Sequence, residues 1–243
     1  RSGELAFGRR RNRLRGFVRM KIVALIPAYN AAQTVGDVVR ECKKFLDVVV
    51  VVNDGSRDET ASAATIAGAE VVAHAQNRGK GAALKTGFAW ALEQGIDAVI
   101  TLDADGQHLP REIPKFIDAF KETHADLIIG GRSHLFDQML PRRRMANRFS
   151  AWSISKASGR KVTDSQSGFR LYSANLLRNV RLRTDGFDME SEVIVRAGRD
   201  GFKIKTIPID LSFVDGIATS HYKPLKDTLR IAWTVTRARL FWR

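Results

Sequence analysis

The stretch Asp47-Val48-Val49-Val50-Val51-Val52-Asn53 decides the fold class of this 243-residue chain. Five consecutive valines favour an extended strand, because a β-branched side chain packs well on a pleated surface. A strand that is apolar at every position is typical of a parallel sheet covered by helices on both faces. The segments on either side alternate between strand-like and helix-like patterns. We therefore predict an α/β fold with a mostly parallel sheet flanked by helices and joined by right-handed crossovers.

The other strands and the helices follow from apolar runs and from apolar residues spaced three to four positions apart. Further strands are predicted at residues 21–26, where Pro27 ends the strand, and at 69–74, 97–102, 126–129, 169–172 and 203–213. Helices are predicted at residues 31–46, from 58–60 onward, and at 81–94, 110–123, 142–158 and 190–200. Ligands of such sheets bind beyond the carboxyl ends of the strands. This rule directs attention to the loops at 27–30, 53–58, 75–81 and 103–108.

Composition excludes several classes of protein. A hydrophobic content of 44% with 27% charged residues is that of a globular chain rather than of a disordered or collagen-like one. The single cysteine, Cys42, allows no internal disulfide and no thiolate metal cluster, which is typical of a reducing, cytoplasmic location. No apolar run reaches the roughly 18–20 residues that a membrane-spanning helix needs.

The net charge of +14 is concentrated at the two ends of the chain. Residues 1–21 contain eight Lys/Arg and one acidic residue, and residues 221–243 contain six Lys/Arg and one acidic residue. We expect a flexible basic arm at 1–20, a globular α/β domain at 21–220 and a C-terminal amphipathic helix at 221–243.

The C-terminal helix would present a cationic stripe beside an apolar face. Lys226, Arg230 and Arg237 fall within about 40° of one another at about 100° per residue. The apolar side chains beside them include Leu225, Leu229, Trp233 and Leu240. This pattern is typical of a helix in a membrane interface, and it predicts a peripheral protein on the anionic inner face of a membrane. Packing of this helix on its own domain or in a dimer is the alternative.

A second cationic region lies inside the chain. Residues 132–170 contain nine Lys/Arg, and their only acidic residues are Asp137 and Asp164. The polar loop Asp164-Ser165-Gln166-Ser167-Gly168-Phe169-Arg170 at the end of this region could hold an anion. A solvated loop would have the same composition.

The strongest chemical signal is Leu102-Asp103-Ala104-Asp105-Gly106-Gln107-His108. Asp103 and Asp105 directly follow a predicted strand, and alternate side chains of an extended segment point to the same side. Two carboxylates with Gln107 as a third ligand suit Mg²⁺ or Mn²⁺, which take their remaining ligands from water and substrate phosphates. An Asp-X-Asp sequence alone is more often a solvated turn, but the position after a buried strand favours a metal site.

Three other loops contain groups that suit a nucleotide. Asp54 could accept from a base N–H or a ribose hydroxyl, or could form an Asx turn. Tyr29, two residues after Pro27, could pack on a nucleobase or on the protein itself. Lys80, in Asn77-Arg78-Gly79-Lys80-Gly81 at the start of a predicted helix, favours phosphate. The sequence has no Walker loop, and no G-x-G-x-x-G follows its first strand, so neither of these nucleotide-binding motifs applies.

Together and in this order, these motifs resemble the family 2 glycosyltransferases with the GT-A fold, most closely the dolichyl- and polyprenyl-phosphate mannose and glucose synthases. The joint occurrence of the matching segments is far more specific than any one of them. The segments are PAYN at 27–30, VNDGSRDET at 52–60, NRGKG at 77–81, DADGQH at 103–108, GGR at 130–132, DSQSGFR at 164–170 and MESEVIVRA at 189–197.

The resemblance implies a Rossmann-like GT-A catalytic domain that binds a nucleotide-sugar donor and a lipid-phosphate acceptor. The donor site would comprise Pro27, Tyr29, Val52, Asp54, Lys80, Asp103, Ala104, Asp105 and Arg132. The divalent metal would be bound by Asp103, Asp105 and Gln107. The acceptor phosphate would be bound by Arg144, Asp164, Ser167 and Arg170. The residues expected to act in catalysis are Asp105, Arg132, Arg170 and Glu192, and Glu190 lies beside the last of these.

The implied reaction is an inverting transfer of a hexose to a polyprenyl phosphate at the membrane surface. Three positions depart from the family pattern, namely Ala31, Asn53 and Gly216, and they leave the base and the sugar of the donor open. Residues 221–223 could supply polar contacts that Gly216 lacks.

Three alternatives have different chemical requirements. A family 2 enzyme with a saccharide or other hydroxyl acceptor would need a general base, for which Glu190 and Glu192 are the candidates. A nucleic-acid-binding module would use the basic ends, but the sequence contains no recognition helix or aromatic platform, so no nucleic-acid partner is expected. A nucleotidylyltransferase would release pyrophosphate rather than a nucleoside diphosphate. The sequence makes no prediction of the oligomeric state.

Overall fold

The computed structural model describes residues 20–132 and 141–212 of the chain. The predicted amphipathic helix at 221–243 and all but the last residue of the predicted basic arm at 1–20 lie outside the described residues. Gly216 and residues 221–223 lie outside them as well.

Seven strands of the described chain form one sheet, and its centre is parallel. They are β1 (Ile22–Ala28), β2 (Val49–Asn53), β3 (Glu70–Ala73), β4 (Ala98–Thr101), β5 (Leu127–Gly131), β6 (Arg170–Ser173) and β7 (Ile204–Pro208). Their order across the sheet is β3-β2-β1-β4-β6-β5-β7. Only β6 runs antiparallel to its neighbours, β4 and β5. The predicted mostly parallel α/β sheet is confirmed.

Seven α-helices of the described chain flank the sheet. They are α1 (Val35–Cys42), α2 (Thr60–Ile66), α3 (Lys80–Glu93), α4 (Ile113–Thr123), α5 (Pro141–Ser158), α6 (Ala174–Asn179) and α7 (Met189–Arg199), and a 3-10 turn at Pro110–Glu112 precedes α4. Within residues 20–132 and 141–212, no helix is both long enough and apolar enough to cross a lipid bilayer.

The valine run is buried on both faces, as predicted. Val50 and Val52 pack in a core that includes α3, α5, α6 and α7, whereas Val49 and Val51 pack in a core that includes α1, α2 and α4. Because successive side chains of a strand point to opposite faces, each valine pair serves one of the two layers. This explains why the strand carries an apolar side chain at every position from 49 to 52.

The first strand runs further than the sequence predicted. Pro27 was expected to end it, but β1 continues to Ala28, with Pro27 in register with Val52 of β2. The ladder between β1 and β4 ends at Leu25 and Thr101. Pro27 therefore lies beyond the end of β4, where a missing backbone N–H removes no ladder hydrogen bond.

Three other elements differ from the prediction. The first helix covers only Val35–Cys42 of the predicted 31–46, because residues 32–34 form a turn. The last strand ends at Pro208 rather than at 213, because its partner β5 ends at Gly131, the residue in register with Pro208. The short α6 was not predicted; it is capped by Ser173, whose hydroxyl oxygen accepts the Leu176 N–H at 3.0 Å.

Candidate active site

The carboxyl ends of β1 and β4 lie where the order of strands in the sheet reverses. From β1 the chain continues to β2 and β3 on one side and then crosses to β4 on the other, an arrangement that leaves a crevice between the loops. The loop after β1 is bonded to both neighbouring loops. Asn30 Oδ1 accepts the Arg57 N–H at 2.9 Å, and the Thr34 hydroxyl donates to the Ala104 carbonyl at 2.6 Å. The structure thus brings the predicted loops together at one edge.

Asp54 holds the loop that leads into α3. Its carboxylate accepts the backbone N–H groups of Arg78 at 2.9 Å and Gly79 at 2.8 Å, and it lies 2.6 Å from Nδ1 of His74. The other ring nitrogen of His74 lies 2.9 Å from the Thr86 hydroxyl. The buried Asp54 is thus engaged by protein groups, and this geometry gives it a positioning role. Its contact with a donor base or ribose stays a prediction.

Lys80 joins three parts of the chain that are distant in sequence. Its ammonium lies 2.6 Å from Asp103 Oδ1 and 3.1 Å from Glu190 Oε2. Lys80 is the first residue of α3, Asp103 follows β4, and Glu190 lies in the first turn of α7. Only 15% of the Lys80 side chain is exposed, and charges attract one another more strongly there than on an open surface.

The charges of this cluster set each other's ionisation. Burial alone would lower the pKa of Lys80, but the negative charges of Asp103 and Glu190 outweigh it and raise the pKa above its usual value. Burial alone would raise the pKa of Asp103, but the positive charge of Lys80 outweighs it and holds the pKa below its usual range. At neutral pH the pair is therefore an ammonium facing a carboxylate.

Asp105 is under electrostatic repulsion from Asp103. Burial, and next the negative charge of Asp103, raise the pKa of Asp105, and its Oδ1 accepts the Gln107 N–H at 3.0 Å in a tight turn. A cation between the two aspartates would relieve this repulsion, and the predicted metal site at Asp103, Asp105 and Gln107 stays a prediction. Within the described ranges, no group of three or more His, Cys, Asp or Glu side chains is arranged to hold a metal. This donor set fits a cation that takes most of its ligands from water and phosphate.

His108 supports the turn that carries the aspartates. Its Nδ1 accepts the Asp103 backbone N–H at 3.1 Å, which requires that nitrogen to be unprotonated. Burial lowers the pKa of His108 to about 4, despite the neighbouring Asp103. The ring is therefore neutral at pH 7, and it packs against Phe169 with 5.3 Å between ring centres.

The loop at 164–170 packs against this cluster. A Cβ on Gly168 would lie 2.7 Å from Asp103 Oδ2 and 2.9 Å from Lys80 Nζ, so a larger residue at this position would displace the charged ends of both side chains. In the same loop, Asp164 binds Arg132 in a bidentate pair, with Nε–Oδ2 at 2.7 Å and Nη2–Oδ1 at 3.1 Å. Burial would raise the pKa of Asp164, but the charge of Arg132 outweighs it and lowers the pKa. Asp164, predicted to contact the acceptor, is buried and orients Arg132.

The Arg170 side chain is enclosed by the protein. Its side chain is 0% exposed, and its guanidinium donates to the backbone carbonyls of Ser167, Glu190 and Ser165 at 2.7, 2.6 and 2.8 Å. Ser167 is fully buried too. The enclosed guanidinium joins the 164–170 loop to α7, which gives Arg170 a positioning role. Its contact with an acceptor phosphate stays a prediction.

The two glutamates at the start of α7 have separate roles. Glu192, predicted to be catalytic, is 0% exposed and accepts the N–H groups of Arg183 and Thr184, the Thr184 hydroxyl and Arg196 Nε at 2.7–3.0 Å. Because these four donors occupy the Glu192 carboxylate, it holds the protein backbone in place. Glu190 instead faces Lys80, and its Oε1 is buried without a hydrogen-bond partner among the described residues. The acidic residue at the site is thus Glu190.

The remaining predicted donor residues lie at the ends of β1, β2 and β4, and the predicted acceptor residue Arg144 lies in α5. Pro27 and Tyr29 are partly buried at the end of β1, and Val52 is buried in β2, so its backbone alone could contact a ligand. Ala104 is buried between the two aspartates, and Arg144 is partly buried near the start of α5.

Sequence reasoning missed His74, although its position directly after β3 is the signal that identified the other loops.

The sequence model of glycosyl transferase family 2 matches residues 23–181, which contain the loops, both aspartates and Arg170. The chain belongs to glycosyltransferase family 2. The resemblance found in the sequence is confirmed, and with it the assignment of the chain as a transferase.

Relatives of this family 2 glycosyltransferase carry names that refer to polyprenyl phosphates. The UDP-N-acetylglucosamine–dolichyl-phosphate N-acetylglucosaminyltransferase of Methanococcus voltae is 30% identical, over 80% of this chain and 86% of its own length. The undecaprenyl-phosphate mannosyltransferase of Micrococcus luteus is 31% identical, over 78% of this chain and 83% of its own length.

A solved structure confirms the GT-A fold. Glucosyl-3-phosphoglycerate synthase from Mycobacterium tuberculosis, crystallised with Mn²⁺, UDP and glucosyl-3-phosphoglycerate, has a TM-score of 0.67 to this chain. The match covers 91% of this chain and 80% of the other, at 19% identity. At this identity the similarity extends to the fold alone.

The buried position of Arg170 in this glycosyltransferase predicts a stability defect. Arg170→Met should lower the free energy of unfolding by about 2–5 kcal/mol, because three buried carbonyls lose their donor. Urea denaturation measures this change, and Arg178→Met, on the exposed surface of α6, is the matched control. If Arg170→Met unfolded like the unmodified chain while losing affinity for a phosphate acceptor, Arg170 would be a ligand after all.

Proposed function

We propose that this family 2 glycosyltransferase transfers a hexose from a nucleoside-diphosphate sugar to a polyprenyl phosphate, with inversion, at an anionic membrane surface. One observation supports it above all: Lys80 and Arg132 adjoin Asp103 and Asp105 at the carboxyl edge of the sheet. Relatives named for dolichyl and undecaprenyl phosphate support the class of acceptor.

The chemistry requires two anions to approach one another. An oxygen of the acceptor phosphate attacks the anomeric carbon, the bond from that carbon to the diphosphate breaks, and the nucleoside diphosphate leaves with the electron pair. A lipid phosphate is already anionic at pH 7, so no proton has to be removed. The protein's task is therefore to hold both reactants and balance their charge.

The residues present suit that task. Mg²⁺ or Mn²⁺, when bound by Asp103 and Asp105 with Gln107 nearby, would balance the charge of the leaving diphosphate. Lys80 and Arg132 are partly exposed cations whose positions are fixed by acidic partners, and they are suited to bind phosphate oxygens. Asp164, Arg170 and Glu192 keep the surrounding loops in place.

Replacing Asp105 tests the charge arrangement. Asp105→Ala should reduce transfer about 100-fold or more, since one of two cation ligands is lost, while the thermal unfolding temperature is unchanged. The assay supplies a panel of nucleotide sugars, Mg²⁺ or Mn²⁺ and a polyprenyl phosphate, and it identifies the glycolipid and the released nucleotide. Asp118→Ala, on the exposed side of α4, should retain full activity. Full activity of Asp105→Ala, or release of pyrophosphate, would contradict the proposal.

A second candidate function follows from Glu190. Its carboxylate faces Lys80 at the edge of the site, and a saccharide or other hydroxyl acceptor would require a group there that takes up its proton. A lipid phosphate needs no general base, so with this acceptor Glu190→Gln should lower kcat less than about tenfold and leave the shape of the pH profile unchanged. Loss of a required general base would instead lower the rate about 10²–10⁴-fold. A larger loss, together with disappearance of a limb that rises with pH, would favour the hydroxyl acceptor.

A further inference from the structure

The helix α5 presents two different faces. Its inner face packs on the domain through residues that recur every three to four positions, namely Asn147, Ser150, Ala151, Ile154 and Ala157. Its outer face carries Met145, Arg148, Phe149, Trp152 and Lys156, all of which are exposed. A surface helix normally has a polar outer face, whereas this one combines three large apolar side chains with two cations.

The outer face concentrates large apolar side chains. Met145, Phe149 and Trp152 are 70%, 58% and 59% exposed, and the rings of Phe149 and Trp152 lie 6.0 Å apart between centres. At about 100° per residue, the three side chains fall within a sector of about 60°. The other large apolar side chains that the described structure exposes, Met20, Phe45 and Ile66, lie on separate elements. A contiguous apolar patch of this kind marks an interaction surface.

The charge of α5 indicates what this surface binds. The helix contains five Lys/Arg and no acidic residue. Arg148 and Lys156 are exposed beside the apolar patch. Aromatic and apolar side chains flanked only by cations complement a layer that is negatively charged at its surface and apolar beneath.

We propose that the outer face of α5 docks on an anionic phospholipid bilayer. Met145, Phe149 and Trp152 enter the interfacial region, where aromatic rings are favoured, and Arg148 and Lys156 bind lipid head groups. A fluid lipid surface requires no shape complementarity, which suits a convex helix rather than a groove.

This contact would also orient the active site. On its inner face, α5 is joined to the 164–170 loop by a hydrogen bond between the hydroxyls of Ser150 and Ser165 at 3.0 Å. The same loop packs against Asp103 and Lys80 through Gly168. Docking of α5 would therefore tie the loop beside Asp103 and Lys80 to the element that contacts the lipid. This orientation rests on the proposed function, but the binding experiments below need neither donor nor acceptor, so the two proposals can fail separately.

The first experiment measures binding of the full 243-residue chain to vesicles by co-sedimentation. Vesicles of phosphatidylglycerol and phosphatidylcholine in equal parts are compared with vesicles of phosphatidylcholine alone. Phe149→Ser/Trp152→Ser should reduce the partition coefficient on the anionic vesicles about tenfold or more. Ile66→Ser is the matched control, because Ile66 is 81% exposed on α2, and it should bind like the unmodified chain. Equal binding by the double variant and the control would overturn the proposal.

The second experiment reports on α5 itself, whatever other segment contributes to binding. Cys42 is buried and burial raises the pKa of its thiol to about 12, so a thiol-reactive, environment-sensitive fluorophore labels Met145→Cys selectively. We expect its emission to shift to the blue on addition of anionic vesicles, and that of labelled Ile66→Cys to stay unchanged.

If the outer face of α5 binds something other than lipid, the fluorophore at position 145 gives a different result. Each of the following results would overturn the proposal. Blue-shifted emission at position 145 before vesicles are added would indicate a second copy or a terminal segment of the same chain. A shift caused by duplex DNA and not by vesicles would indicate nucleic acid. No shift while the protein is bound to vesicles would show that α5 faces away from the lipid.

Discussion

The ammonium of Lys80, shared between Asp103 and Glu190, is the interaction on which the site depends. It connects the start of α3, the end of β4 and the start of α7, three elements that the fold brings to one edge of the sheet. A partly buried carboxylate pair without a cation would be costly, because burial weakens the solvation of both charges. The Lys80 ammonium offsets that cost for Asp103. Asp105 remains repelled by the negative charge of Asp103, and a divalent cation bound there would relieve this repulsion.

Around this cluster, several charged side chains act on the protein rather than on a ligand. Asp54 holds the loop before α3, Asp164 orients Arg132, Arg170 ties the 164–170 loop to α7, and Glu192 holds the backbone at 183–184. Each is buried and bonded to several partners, so its removal would leave other groups unsatisfied. Such residues fix the geometry on which electrostatic catalysis depends.

The sequence predicted the sheet and its edge well, because the valine run and the strand-end loops are local signals. It could not separate ligands from supports. Arg170 lies where a polar loop leads into β6 and Asp103 lies where β4 leads into a polar loop, and only tertiary packing encloses the first and leaves the second partly exposed. Likewise Glu190 and Glu192 lie two residues apart on one helix, and their roles differ because the 183–184 backbone covers Glu192 alone. His74 was missed because its partner, Asp54, is 20 residues away.

The ionisation of Asp103 tests the central claim most directly. Carbon-detected NMR titration of the aspartate carboxyl groups, in the unmodified chain and in Lys80→Met, gives the pKa of Asp103 in each. We expect the pKa of Asp103 to lie below its usual range in the unmodified chain. The pKa should rise when the Lys80 charge is removed, because burial raises it and the opposing positive charge of Lys80 is then missing. The same pKa in both proteins would show that Lys80 does not govern the site.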